Sequence, residues 1–220
     1  MPEAVEITWD AGVVTGRRVG SGSDGILLAH GAGTNQDHSL MVMLRDALAS
    51  AGHTVMTFNY PYTERGSRSP DRVEKLIACH AAAADALRPD VDNLYLAGRS
   101  MGGRIGTYVV SEGGAAAGLI LYAYPLHPAG KPEKLRVEQF SRVDIPMLFF
   151  QGTRDALSRM ELFEEYIAPL TNATFEILEG ATHGTKGGGW TPVKMVDRLV
   201  VGTTDWIDAI SSGRSSQSRS

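Results

Sequence analysis

Gly98-Arg99-Ser100-Met101-Gly102 fits G-x-S-x-G, a spacing that presents a serine hydroxyl on a tight turn between two glycines. By pattern alone such a match is weak. Its setting strengthens it, because the motif lies between a short strand pattern, Asn93 to Ala97, and a helical stretch from Met101. At such a turn the serine takes a strained backbone conformation, and side chains two residues to either side would collide. Gly98 and Gly102 remove those side chains, and Gly103 and Gly106 would let the following helix lie close to the sheet. No other serine has glycines at both positions. An ordinary glycine-rich strand-to-helix turn stays open as the alternative on these residues alone.

A serine hydroxyl is a poor nucleophile near neutral pH and needs an adjacent imidazole to take its proton. The imidazole needs a carboxylate to fix its tautomer and stabilise its charged form. On a parallel sheet these groups come from loops at the carboxyl ends of later strands, in the order Ser, acid, His. Asp155 follows the strand pattern Pro146–Gln151, and His183 follows the pattern Thr174–Leu178. Asp155 is therefore the candidate acid and His183 the candidate base. Asp144 and His53 sit at the starts of strands, His38 opens a helix, and His80 lies on an apolar helical stripe, so all four are worse placed. An oxyanion hole would use the N–H of Met101 and one from the loop after the strand at Ile26. There His30-Gly31-Ala32-Gly33 frees the backbone of Ala32, while His30 is expected to brace the loop.

The elements that must hold these groups are legible from periodicity. Val5, Ile7 and Trp9 alternate with polar residues and lead to Val13, Val14 and Arg17 to Val19, which predicts an N-terminal antiparallel hairpin. Strands are predicted at 26–30, 54–60, 93–97, 119–123, 146–151 and 174–178. Helices are predicted over 39–51, from a Ser69 cap with Pro70 to Leu87, over 101–110 and 161–167, and over 193–210 with a break near Gly202. Strands alternating with helices imply an α/β domain with a mostly parallel sheet covered on both faces. One domain, 1–210, is expected. The six serines and two arginines of 211–220 read as a disordered tail.

Composition excludes several classes. Hydrophobic residues are 43% and charged residues 21%, which is globular rather than disordered. A net charge of −4 argues against a duplex nucleic-acid partner. The longest mostly apolar run, Ala115 to Leu126, falls short of the roughly 20 residues that cross a membrane. The single cysteine, Cys79, permits no internal disulfide and makes a cytoplasmic location the default expectation. It lies mid-helix and reads as a small buried side chain. Gly20 to Gly25 matches G-x-G-x-x-G but precedes a strand, so it reads as a surface turn. Gly184 to Gly189 lacks the Ser or Thr of a phosphate loop and reads as a pliable segment seating His183. No His, Cys and carboxylate cluster has metal-ligand spacing, and neither metal nor cofactor is expected.

His30-Gly31-Ala32-Gly33, the Ser100 motif, Gly152-Thr153-Arg154-Asp155 and Ala181-Thr182-His183-Gly184 together resemble the α/β-hydrolase superfamily, near its dienelactone-hydrolase-like branch. The likeness spans about residues 5–210. The segment Tyr124 to Arg136 is similar to a small hydrolase-like family that includes a testis-expressed protein and the hydrolase-like subunit of the NSL histone acetyltransferase complex. The resemblance implies a compact α/β-hydrolase fold without a cap domain. It brings no substrate, and some relatives serve as scaffolds. Arg99 stands where a His often precedes the nucleophile, a change expected to leave the triad undisturbed. Dienelactone hydrolases use a Cys nucleophile, so their substrate does not carry over to Ser100.

Between the strands ending at Ala123 and beginning at Pro146 lie about 22 residues, too few for a separate lid. An open site for small or exposed acyl groups is expected. Lys131, Lys134 and Arg136 on this insert would attract an acidic substrate, although a solvated charged loop explains them more simply. The sequence thus points to a cofactor-free serine hydrolase acting on carboxylic esters or thioesters of a small-molecule acyl substrate. A non-catalytic interaction module and an acyltransferase using the same residues are the rival readings.

Overall fold

The computed structural model describes residues 1–184 and 187–217, the last five of these by backbone alone. The hairpin predicted from the alternation of Val5, Ile7 and Trp9 is β1 (Glu3–Trp9) paired antiparallel with β2 (Gly12–Val19). Its cross-strand partners Ile7 and Val14 are both buried. Then follow β3 (Asp24–Ala29), α1 (Ser39–Ser50), β4 (Thr54–Phe58), α2 (Pro61–Glu64), α3 (Val73–Leu87) and β5 (Asn93–Arg99). The chain continues through α4 (Met101–Ser111), β6 (Gly118–Tyr122), β7 (Met147–Gly152), α5 (Met160–Tyr166), β8 (Ala173–Leu178) and α6 (Pro192–Gln217). Among the described residues the strands form one sheet of eight, ordered β1-β2-β4-β3-β5-β6-β7-β8 and parallel from β4 to β8. This is a compact α/β-hydrolase fold.

Because parallel strands are covered on both faces, they read as unbroken apolar runs. Leu27, Leu96, Leu121 and Phe149 point to one face and pack with α3 and α4. Ile26, Ile120, Leu148 and Phe150 point to the other and meet α1 and α6. The sheet positions the site through register. From β3 the chain runs out to β4 on one side and returns to β5 on the other, so β3 and β5 flank the point where strand order reverses. Loops diverge there and leave a crevice. Ala29 pairs with Gly98, which sets the loop after β3 beside Ser100. Gly152 pairs with Leu178, which sets the loop carrying Asp155 beside the loop carrying His183.

Four expectations change. The helix placed from Ser69 begins at Val73 instead, with Arg72 at its cap. Ser67 Oγ and the Ser69 backbone hydrogen-bond each other, and Asp71 pairs with Arg65 and Lys75, so 65–71 is held as a loop. Pro61 does more than end a strand, because it opens the one-turn helix α2, whose first position needs no N–H. α6 passes through Gly202 without a break. A Cβ there would lie 2.9 Å from the Phe150 ring, so this glycine serves close helix–sheet packing. Finally, α6 continues to Gln217 across the segment read as a disordered tail. Tyr95 and Ser211 share a 3.4 Å hydrogen bond, and Ser212 donates back to the Asp208 carbonyl. Residues 218–220 lie outside the described residues.

Candidate active site

Ser100 follows β5 and precedes α4 with φ 52° and ψ −116°, a left-handed conformation that costs a non-glycine residue on the order of 1–3 kcal/mol. Two contacts over-determine it. The Ser100 N–H donates to the Tyr122 carbonyl at 2.9 Å, and the Arg104 N–H donates to the Ser100 carbonyl at 3.1 Å. The flanking glycines are required by contact. A Cβ on Gly98 would sit 2.3 Å from the Gly103 nitrogen, and one on Gly102 would sit 2.4 Å from the Ala29 carbonyl oxygen. Gly106 differs: its nearest neighbour would be 3.5 Å away, an ordinary contact, so the close approach expected there is not what holds that position as glycine.

The three residues chosen from strand-end positions converge. Ser100 Oγ lies 2.9 Å from His183 Nε2. Asp155 lies 2.8 Å and 3.0 Å from His183 Nδ1 through its two oxygens. An ionised carboxylate only accepts, so Nδ1 carries the proton and Nε2 is left to accept from Ser100. Asp155 is 4% exposed, and its other partners are Gln151 Nε2 at 3.0 Å and the Leu157 N–H at 2.8 Å. Those neighbours fix the carboxylate before it fixes the imidazole.

Ala32 and Met101 line the same cleft as Ser100. Met101 opens α4, where backbone N–H groups have no partner inside the helix. Among the described residues neither the Ala32 nor the Met101 N–H has an acceptor.

Three residues in or beside the site were missed or undervalued in the sequence. Arg99 donates from its guanidinium to the His183 carbonyl at 2.6 Å, tying the residue before Ser100 to the loop that carries the base. Burial pulls its pKa below the usual value, and the charge of Asp155 opposes that. Gln151, near the end of β7, anchors Asp155. His127, on the insert, accepts from the Arg159 N–H at 3.4 Å and donates its own N–H to the Leu157 carbonyl at 3.0 Å, clamping the insert to the Asp155 loop. The contacts of Arg99 and His127 join residues distant in sequence, and that of Gln151 spans a four-residue turn, none of which apolar spacing reveals.

The other histidines have structural partners. His30 Nε2 accepts from the Tyr60 N–H at 3.3 Å, which leaves Nδ1 to donate to the Gly31 carbonyl at 2.8 Å. It braces the Ala32 loop, and burial pushes its pKa down to about 4. His80 is fully buried against the Tyr60 hydroxyl, at 2.9 Å, and burial pushes it down to about 3. His53 faces Thr204, and His38 caps α1 by accepting from Leu40. Cys79 is buried, with its thiol pushed up to about 12 by desolvation. Of the glycine-rich segment after His183, Thr185 and Lys186 lie outside the described residues. Beyond them Trp190 Nε1 donates to the Glu179 carbonyl at 2.9 Å and closes the loop. Among the described residues no three His, Cys, Asp or Glu side chains converge as metal ligands, and no helix is long and apolar enough to cross a membrane.

The insert from Tyr124 to Ile145 packs down instead of projecting as a lid. Tyr124, Leu126, Gln139 and Phe140 are buried, and Gln139 Nε2 donates to Thr107 on α4 at 3.0 Å. The cleft beside Ser100 measures about 330 Å³ and is walled by Leu76, Pro125 and Leu157 as well as Ala32 and Met101.

Residues 23–207 match the family model described as Alpha/beta hydrolase domain. Solved structures share the fold. A serine hydrolase homologue from Coxiella burnetii is 20% identical, with a TM-score of 0.74 over 91% of this chain and 96% of that one. A serine hydrolase without a lid from Xanthomonas campestris is 20% identical, with a TM-score of 0.74 over 93% and 94%. An esterase from Pyrococcus furiosus is 15% identical, with a TM-score of 0.77 over 95% and 92%.

Proposed function

This chain belongs to the alpha/beta hydrolase domain family, and on that premise we propose that it is a serine hydrolase of small or exposed carboxylic esters or thioesters. The observation that carries this reading is the unbroken line of contacts from Ser100 Oγ through His183 to Asp155. Ser100 attacks the acyl carbonyl while Nε2 of His183 takes its proton, and Asp155 stabilises the imidazolium that forms. The amides of Ala32 and Met101 hold the oxyanion; each such donor is worth roughly 10²–10³ in rate. His183 then protonates the leaving group, and water attacks the acyl-enzyme by the reverse path. The Pyrococcus relative is an esterase, and the Xanthomonas relative is a serine hydrolase without a lid, which makes short esters the first class to test. The Tyr124–Arg136 segment is our ground for a narrower kinship with the small hydrolase-like family that the sequence resembles.

The test is hydrolysis of a short p-nitrophenyl ester by wild type and by Ser100→Ala. A rate in the wild type that falls at least 10³-fold in the variant supports the reading. Equal rates in the two proteins overturn it.

A further inference from the structure

Two cations line the cleft beside Ser100 without an ion-pair partner among the described residues. Arg104 lies on α4, one turn beyond the nucleophile, about 6 Å along the helix axis. Arg136 comes from the insert, and both line the cleft that holds Ser100. Among the described residues neither guanidinium has an ion-pair partner. The Arg104 Nε is buried without a hydrogen-bond acceptor, and its guanidinium carbon lies 5.8 Å from the centre of the Tyr108 ring.

The position of Arg136 is built. Its carbonyl accepts from the Tyr124 hydroxyl at 2.7 Å and its N–H donates to the Leu126 carbonyl at 2.9 Å. Its guanidinium reaches only the Pro125 carbonyl, at 3.4 Å. Burial, and then the like charge of Arg104, hold its pKa below the usual arginine value. Two like charges facing one half-buried cleft, in a chain of net charge −4, form an arrangement that an anion would relieve. Among the described residues Asp71 is the one carboxylate lining the cleft, and Arg65 and Lys75 already pair with its Oδ1. With Asp71 held by its own cations, the guanidiniums of Arg104 and Arg136 leave the cleft with an excess of positive charge.

We infer that Arg104 and Arg136 select substrates whose acyl chain carries a second, free carboxylate a few bonds from the scissile carbonyl. This rests on the esterase reading of Ser100 and names its substrate class. A guanidinium grips a carboxylate through paired N–H donors, which fixes the chain's direction in the cleft as well as its charge. The two residues are specificity determinants and take no part in the bond-making steps.

The experiment compares p-nitrophenyl monoesters of glutarate and adipate with the uncharged valerate and hexanoate esters of equal length, buffer hydrolysis subtracted. Wild type is expected to favour a charged ester at least tenfold in kcat/KM. That preference should shrink at least tenfold in Arg136→Gln and in Arg104→Gln, mainly through KM, be partly restored in Arg136→Lys, and weaken with added salt. In parallel, calorimetry measures adipate binding to Ser100→Ala and to the double variant with Arg136→Gln. Wild type that cleaves uncharged esters as well as charged ones, with no adipate binding to Ser100→Ala, overturns the inference. Adipate binding that weakens tenfold without Arg136, in a protein that cleaves no ester, sustains the anion site and defeats the esterase reading instead.

Discussion

Ser100 owes its position to its own backbone, held at φ 52° by the Tyr122 carbonyl and by glycines that no other residue can replace. The reactivity we propose for it depends on two loops far along the chain, which carry Asp155 and His183. Replacing Asp155 with Asn removes the negative charge and puts an NH2 donor in place of one of the two acceptor oxygens at His183 Nδ1, so the Nδ1–H tautomer is no longer selected. Ester turnover should then fall by about 10²–10⁴ while the fold persists, as read by kcat and circular dichroism. Arg99 offers a sharper test, because the sequence alone ranks it as neutral. Its 2.6 Å bond to the His183 carbonyl holds the base's loop, so Arg99→Met should lower kcat roughly tenfold or more with little change in KM. Arg99→Lys should recover part of that loss, and an unchanged kcat in Arg99→Met would remove this role. The convergence of Ser100, Asp155 and His183 was legible because the loops at the carboxyl ends of parallel strands meet at one edge of the sheet. Arg99, Gln151 and His127 were not, because Arg99 and His127 act through partners 30 or more residues away and Gln151 through Asp155, four residues on, around a turn that periodicity does not describe.

At the scale of elements, close approach explains where glycine is indispensable. Gly102→Ala would drive a Cβ against the backbone of β3, at 2.4 Å from the Ala29 oxygen, and neither strand nor helix can yield. We expect an insoluble protein or a loss of more than about 3 kcal/mol in denaturant unfolding. Gly106→Ala, on the same helix, meets nothing nearer than 3.5 Å and gains helix propensity of up to about 1 kcal/mol, so its stability should match or exceed wild type. Equal damage from both substitutions would contradict the contact argument. The same physics separates what the sequence told from what it hid. Strand and helix positions follow from apolar periodicity. Gly202, read as a helix break, instead admits the Phe150 ring, because a glycine's meaning depends on what packs against it. Ser69 and Pro70 look like a helix start, but ion pairs at Asp71 hold them in the loop beside the cleft.

The molecule as a whole buries two neutral imidazoles, His30 and His80, on either side of Tyr60. Their folded pKa values, about 4 and about 3, lie below the ordinary 6.5 of the unfolded chain. The unfolded state therefore binds more protons between these limits. Stability from these two groups is complete above about pH 6.5 and is lost as pH falls toward 4 and 3. Denaturant midpoints measured from pH 7.5 to 4.5 should fall, and His80→Gln should flatten that slope by about one proton, whatever its effect at neutral pH. An identical slope in both proteins would contradict the assignment. The sequence placed His80 in the core and His30 in a bracing role, yet their shared partner Tyr60 emerged only from the fold. Whether His183 makes one serine of the folded chain nucleophilic is read out by intact mass after exposure to a fluorophosphonate. One adduct per chain, mapped to Ser100 and absent from both Ser100→Ala and His183→Ala, is the predicted result. An unmodified wild-type chain, or an adduct that persists in Ser100→Ala, would contradict it.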